Sequence, residues 1–358
     1  MSIRDRVAII GVGATQFGEH FEQGYSDLIV EAAYEAFRDA NVSPPQIQAA
    51  WLGTCFPDSG GYQGNAGASL ADALSLYHAP ISRVANYCAT GADAFRNACF
   101  AVAAGAYDLV LVVGAEKMRD VTARESLVGQ LAETGHPVHG KGVTAPGMFA
   151  LFATRYFDRF GIGRETLAKV AMKNHRHGSL NPKAHFQKEI TLEQYFKAPM
   201  VADPLGLYDC CPQTDGAAAA VICRADLAPT FSKEPILVKG LGLANPVGDE
   251  LAFDPESDFI SFRATKEAAT QAYEQAGVKD PFKEIDVAEL HDCFTITELV
   301  TYEDLGFCQQ GEGRTFIEEG VSSLEGALPI NTSGGLKSCG HPIGASGLRM
   351  IGEITNQL

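Results

Sequence analysis

An internal echo constrains this chain more than any other feature. "EAAYEAFRDANV" (31 to 42) and "EAATQAYEQAGV" (267 to 278) align without gaps and share six of twelve residues, with the alanines at matching helical positions. A proline-containing loop follows each, then an apolar stretch, "AAWLGTC" in one case and "DVAELHDC" in the other. A second echo sets "CATGADAFR" (88 to 96) against "HPIGASGLR" (341 to 349), matching Gly91 with Gly344, Ala92 with Ala345 and Arg96 with Arg349. Cys88 then falls opposite His341. Two halves that place a cysteine and a histidine at equivalent helix starts predict pseudo-twofold packing, with the two side chains converging.

Strands alternating with helices around these segments indicate a layered α/β fold. "RVAIIGVGATQFG" reads as a buried strand running into a glycine-rich turn, but its spacing is not G-x-G-x-x-G and no nucleotide site is expected there. "SDLIVEAAYEAFRDANV" is an amphipathic helix with Ser26 as its N-cap. "AAWLGT", "SRVAN" and "YDLVLVVGAE" read as strands, and "GNAGASLADALSL" and "GADAFRNACFAVAAGA" as helices.

Lys plus Arg number 28 against 44 Asp plus Glu, a net charge of −16, which argues against nucleic-acid binding through the bulk surface. No apolar run reaches the roughly 18 residues of a membrane span, and "MSIRDRVAII" lacks the apolar core of a signal peptide. The nine cysteines are odd in number and form no C-x-x-C pair, so a reducing cytoplasm is expected, without disulfides or zinc.

Between the halves, roughly 117 to 205, lies an insertion of different character. Its segment "KNHRHGSLNPKAHFQKE" gathers Lys173, His175, Arg176, His177, Lys183, His185 and Lys188, and reads either as a solvated helix and loop or as a basic lid for a phosphorylated ligand. "VHGKGVTAPGMFALFATRYFDRF" carries Met148, Phe149, Phe152, Tyr156 and Phe157, which line an acyl pocket or, as we favour, pack on their own domain.

Three segments carry chemistry. A thiolate at a helix N-terminus is stabilised by the dipole and free N–H groups, and Cys88 stands at such a junction among small residues. Its own amide can donate to a developing oxyanion, and His341 is the base that the duplication supplies. The glycine-rich "NTSGGLKSCGHPIGASG" (331 to 347) around His341 indicates a tight functional loop, with a structural histidine as the rival reading and Pro342 in the first helical turn. "HDCF" (291 to 294) ends the "DVAEL" strand, where α/β sheets place ligands. A neutral His291 can donate an N–H to a substrate carbonyl, and Cys293 can exchange a proton.

"YCATGADA", "TDGAAAAV" (214 to 221), "ELHDCFTITELVTYEDLGFC" and "GGLKSCGHPIGASG", in this order, resemble a thiolase, and the "HDCF" form resembles the sterol-carrier-protein-type branch. The resemblance covers nearly the whole chain. It implies the thiolase fold: duplicated βαβαβ halves in a five-layered α-β-α-β-α arrangement with an inserted loop domain. On this chain that means a first half over 1–116, an insertion over 117–205, a closing strand and linker over 206–235 and a second half over 236–358. The implied reaction is thiolytic cleavage of a 3-ketoacyl-CoA or the reverse Claisen condensation, as in lipid β-oxidation, with Cys88 acylated and His341 activating it. His291 would bind the thioester oxygen of the second substrate and Cys293 would handle the α-proton, with Cys339 as a rival. Arg176, His177, Lys183, Met148 and Gly344 are the candidate CoA and acyl contacts. Coenzyme A enters as substrate and product, with no tightly bound cofactor and no metal.

A homodimer or tetramer is expected, and some relatives work with a small zinc-ribbon/OB-fold companion on bulky or aromatic acyl groups. Three other readings compete: a retro-aldolase lyase, whose members tend to lack the nucleophilic cysteine; a carrier-protein ketosynthase; and a non-catalytic acyl-CoA-binding scaffold. The resemblance also implies two more strands and a glycine-bearing loop beyond Leu358, so the expectation is a native chain that continues or a partner that covers the gap.

Overall fold

The computed structural model describes residues 3–134, 144–245 and 258–358. "VHGKGV" (138 to 143), at the head of the insertion's aromatic segment, lies outside the described residues. The chain forms two compact units, one of Met1–Gln130, Gln213–Leu241 and His341–Leu358, the other of Leu131–Pro212 and Gly242–Gly340.

The first unit is built on a six-stranded sheet, with β1 (Val7–Ala14), β2 (Ala49–Gly53), β3 (Ile81–Val84), β4 (Leu109–Glu116), β5 (Gly216–Arg224) and β6 (Ile236–Leu237) in the order β3-β2-β4-β5-β1-β6. β2 runs parallel to β3 and β4, whereas β5 runs antiparallel to β4 and β1. Every residue of β4, "LVLVVGAE", is buried, as an apolar run covered on both faces must be. The helix Tyr25–Asp39 packs Leu28, Ile29 and Ala32 against Leu52, Leu111 and Val221. A fully buried leucine or isoleucine such as Leu28 or Ile29 contributes about 1.5–3 kcal/mol by leaving water.

Two local expectations change here. The N-cap of that helix is Gly24 rather than Ser26, because the Asp27 carboxylate reaches back to accept the Gly24 N–H at 2.8 Å, which starts the helix two residues earlier. Gly11 and Gly13, read as a turn, lie within β1. A methyl at Gly11 would fall 2.4 Å from the Ala40 nitrogen, and one at Gly13 2.3 Å from the Ala32 oxygen, so their bareness lets the helix lie directly on the strand.

The second echo is visible in the packing of this unit. The cysteine helix, Thr90–Ala103, and the histidine helix, Ile343–Gln357, begin two residues after Cys88 and His341 respectively. Both lie against β4 and β5 and against each other. Their first turns touch through small residues: a methyl on Gly91 would lie 2.7 Å from the Gly344 oxygen, and one on Gly347 2.5 Å from the Ala92 nitrogen. Pro342 is the N-cap residue, one position before the helical turn expected for it.

The second unit is mainly helical, with Ala145–Phe160, Arg164–Ser179, Arg263–Ala276 and Thr295–Asp304 as its longer helices and one small ladder, Met200–Ala202 with Leu205–Gly206. Phe152, Tyr156, Leu167, Val170, Ile296, Leu299 and Leu336 form its core. "DVAEL" does not form the expected strand. It pairs through a single bridge, Ala288 with Ile330, and the Leu290 N–H is taken instead by the Asn331 side-chain oxygen at 2.7 Å. Among the described residues no helix is long and apolar enough to cross a membrane.

Candidate active site

Cys88 stands at the end of a tight turn that carries the chain from β3 into the cysteine helix. The Asn86 N–H donates to the Thr90 hydroxyl at 2.7 Å, and the Ala89 and Thr90 amides return to the Asn86 and Tyr87 carbonyls at 3.0 Å each. Tyr87 takes φ +43°, a left-handed conformation costly for a bulky residue, so the turn stores strain beside the thiol. Cys88 is half-buried against Cys55, Phe56, Met118 and Ile343. The structure brings Cys88 and His341 together: Nε2 of His341 is 3.3 Å from Sγ, while its Nδ1 is 2.7 Å from the Ser346 hydroxyl. A thiol before a helix N-terminus, with an imidazole in hydrogen-bond reach, is the arrangement of an activated nucleophile.

A buried carboxylate ties the surrounding segments together. Glu116, the last residue of β4, accepts the N–H groups of Phe56 at 2.9 Å, Cys55 at 3.1 Å and Gly344 at 2.5 Å, as well as the Tyr62 hydroxyl. Burial raises its pKa, while these donors pull the other way. One side chain thus fixes the start of the histidine helix to the loop that packs on Cys88.

The "HDCF" segment belongs to the second unit and is held by charge. Asp292 accepts the Leu336 N–H at 2.6 Å, the Lys337 N–H at 3.3 Å and the Asn174 amide at 2.8 Å. The buried Lys337 ammonium donates to the Asp209 carbonyl and, at 3.4 Å, to the Cys293 carbonyl. Glu298 accepts from Lys173 and Asn174 at 2.5 Å each, and from Asn331 at 2.9 Å. Cys293 is buried with Sγ 3.7 Å from the Thr297 hydroxyl. Desolvation pushes the His291 pKa down to about 4, so its ring is neutral at physiological pH and carries one N–H. Cys339 is also buried; the Asn181 amide lies 4.0 Å from its sulfur, and its carbonyl accepts the His185 N–H at 3.1 Å.

Comparison with known proteins supplies the family. The family described as "Thiolase, N-terminal domain" matches residues 7–226, and "Thiolase C-terminal domain-like" matches 248–358. The chain belongs to the thiolase family. It is 38% identical to an acetyl-CoA acetyltransferase of Methanothermobacter thermautotrophicus, over 98% of this chain and 90% of that protein. It is 35% identical to the benzoylsuccinyl-CoA thiolase subunit BbsB of Thauera aromatica, over 100% of this chain and 90% of that one. Among solved structures it resembles an Ltp2–ChsH2(DUF35) aldolase with a TM-score of 0.82 and 28% identity, covering 98% of this chain and 89% of that one. The α/β architecture is therefore the thiolase fold.

The remaining predicted contacts of this thiolase-family chain take varied positions. Of the basic run, Lys173, His175 and His177 face the core of the second unit rather than solvent. His177 sets Nδ1 3.0 Å from the Asn331 carbonyl, and burial lowers its pKa to about 4. Arg176 is exposed and pairs with Glu325 at 2.6 Å, and Lys183 is half-buried. The run is thus one face of a packed helix followed by a loop, a distinction that charge composition cannot make. Met148 is half-buried in the first turn of its helix. The aromatic residues behind it stack within their own unit, Phe149 on Phe294 at 4.6 Å and Phe152 on Phe262 at 4.5 Å. Gly344 is a packing glycine, since a methyl there would meet the Gly53 and Ala115 oxygens at 2.7 and 2.9 Å. Sequence reasoning missed Glu116 and Ser346. A carboxylate closing the apolar "LVLVVGAE" was the one available signal.

Proposed function

We propose that this chain is a CoA-dependent thiolase that cleaves 3-ketoacyl-CoA or, in reverse, condenses an acyl group with acetyl-CoA. The observation that carries this reading is the Cys88 Sγ to His341 Nε2 approach of 3.3 Å at paired helix N-termini. In thiolysis, His341 takes the thiol proton. The Cys88 sulfur adds to the 3-keto carbon, and the bond between C2 and C3 breaks, leaving an acyl thioester on Cys88 and the carbanion of acetyl-CoA. That carbanion is protonated at C2, a role the family resemblance gives to Cys293, with Cys339 as the alternative. His291, neutral and with an N–H to donate, suits the thioester oxygen whose charge grows in the enolate. The thiol of a second CoA then gives its proton to the thiolate left at Cys293 or Cys339 and attacks the acyl-cysteine, and the departing Cys88 sulfur takes back the proton held on His341.

Arg176, Lys183 and Met148 stay in the proposal as CoA or acyl contacts. His177 and Gly344 are left out, since each is already engaged in packing. The nine free cysteines suit a reducing cytoplasm. A homodimer or tetramer and a place in β-oxidation belong to the same family-level reading.

A second reading has its own support. The Thauera relative is named as a subunit, and the solved aldolase pairs two named components. A companion chain, of the zinc-ribbon/OB-fold kind expected from the resemblance, and a bulky or aromatic 3-ketoacyl-CoA would then complete the activity. A non-catalytic acyl-CoA scaffold is disfavoured by the assembled Cys88–His341 pair.

The test is intact-protein mass spectrometry after incubation with acetyl-CoA, acetoacetyl-CoA or a bulky 3-ketoacyl-CoA. One acyl group gained by the wild type and not by Cys88→Ala is the expected result. A folded protein that gains none from any of the three would sink the reading for this chain alone.

A further inference from the structure

We infer that Ser346 is a positioning residue that holds His341 in the tautomer able to deprotonate Cys88. This rests on the reading of Cys88 as the acylated thiol and His341 as its base. Ser346 is buried, with 1% of its surface exposed, in the first turn of the histidine helix. Its hydroxyl lies 2.9 Å from the Pro342 carbonyl oxygen and 2.7 Å from His341 Nδ1.

A serine hydroxyl has one proton to give and lone pairs to receive with, while a carbonyl oxygen can only receive. With the hydroxyl proton on Pro342, the short contact to Nδ1 is satisfied only if Nδ1 carries the hydrogen. A neutral imidazole has one ring proton, so Nε2 then presents its lone pair, and it does so 3.3 Å from the Cys88 sulfur. When the thiol proton moves to Nε2, the imidazolium keeps its Nδ1 hydrogen, and Ser346 remains an acceptor in both states. If Ser346 instead turned its proton onto Nδ1, the ring proton would sit on Nε2, facing the thiol hydrogen, and the thiol would have no base.

The choice of a hydroxyl matters too. A carboxylate at this position would stabilise the imidazolium and raise its pKa, whereas a neutral oxygen orients the ring without that bias. The duplication shows the same position used in the other half. Asp93, which aligns with Ser346, accepts from the Asn86 side chain at 3.3 Å and so braces the turn that holds Cys88.

The experiment uses full-length protein labelled with 15N at histidine, with the His341 ring nitrogens assigned by comparison with His341→Gln. The expected wild-type spectrum has a protonated Nδ1. In Ser346→Ala the proton is expected to move wholly or partly to Nε2, and alkylation of Cys88 by iodoacetamide at neutral pH to slow about tenfold, the worth of one hydrogen bond to a polar group. An unprotonated Nδ1 in the wild type would overturn the inference with no mutant needed. So would a Ser346→Ala protein that keeps both the tautomer and the wild-type alkylation rate. The acyl-adduct measurement is separate: a wild type with the expected tautomer that never acylates would reject the thiolase reading and leave the role of Ser346 standing.

Discussion

The two units position reactive groups by different physics. In the first, Cys88 and His341 sit at the starts of two helices laid on one sheet, and bare backbone sets their approach, glycine against carbonyl. In the second, the segment bearing His291 and Cys293 has two isolated bridges in place of a ladder, and buried charges hold it: Lys173 pairs with Glu298, the Lys337 ammonium donates to the Cys293 carbonyl, and Asp292 takes backbone N–H groups. Packing of this kind tolerates no added volume. A buried ionic network tolerates no missing charge, because the partner left behind keeps its desolvation cost without compensation.

The largest effect is therefore expected from Lys173→Met. It leaves Glu298 buried without its cation and should cost about 3–5 kcal/mol in chemical denaturation. A cost below that of a single added methyl in the first unit would break the contrast. Next comes a pH effect inside the second unit. His177 titrates near 4 when folded, against 6.5 ordinarily, so between those values the unfolded chain binds a proton that the folded one does not. Stability due to this residue is then lost as pH falls through that window, by up to about 3 kcal/mol. The wild type should lose ground to His177→Gln by that amount between pH 6.5 and pH 4, and parallel stability curves would show that the ring is not held neutral. The smallest effect is expected from Gly344→Ala, about 1–3 kcal/mol of overpacking, since its methyl would lie 2.7 Å from the Gly53 oxygen. Because the shift occurs next to His341, its acylation rate should fall by more than this loss of stability suggests. Full activity with reduced stability would separate helix packing from alignment of the pair.

The same contrast explains what could be read in advance. The register of Cys88 with His341 was legible because duplication is a pattern along the chain, and the helix starts at Thr90 and Ile343 follow it. The strand β4 was legible because eight consecutive buried residues leave a plain apolar signature. "DVAEL" carries a similar signature but forms no ladder, since pairing depends on a neighbour that a single segment does not specify. The basic run misled for a related reason: Lys173 and His177 are charged or polar by composition, yet their helix turns them inward to Glu298 and Asn331.

By itself the sequence determined the family, the order of its motifs and the pairing of one cysteine with one histidine, all properties written in local pattern and repeat. Only the tertiary structure decided which polar atoms serve that pair. Glu116 meets the Gly344 amide across 228 residues of chain and the Cys55 amide across 61. Hydrogen bonds between distant segments are short-ranged and directional, so they exist only once packing has set the backbone, and no periodicity records them beforehand.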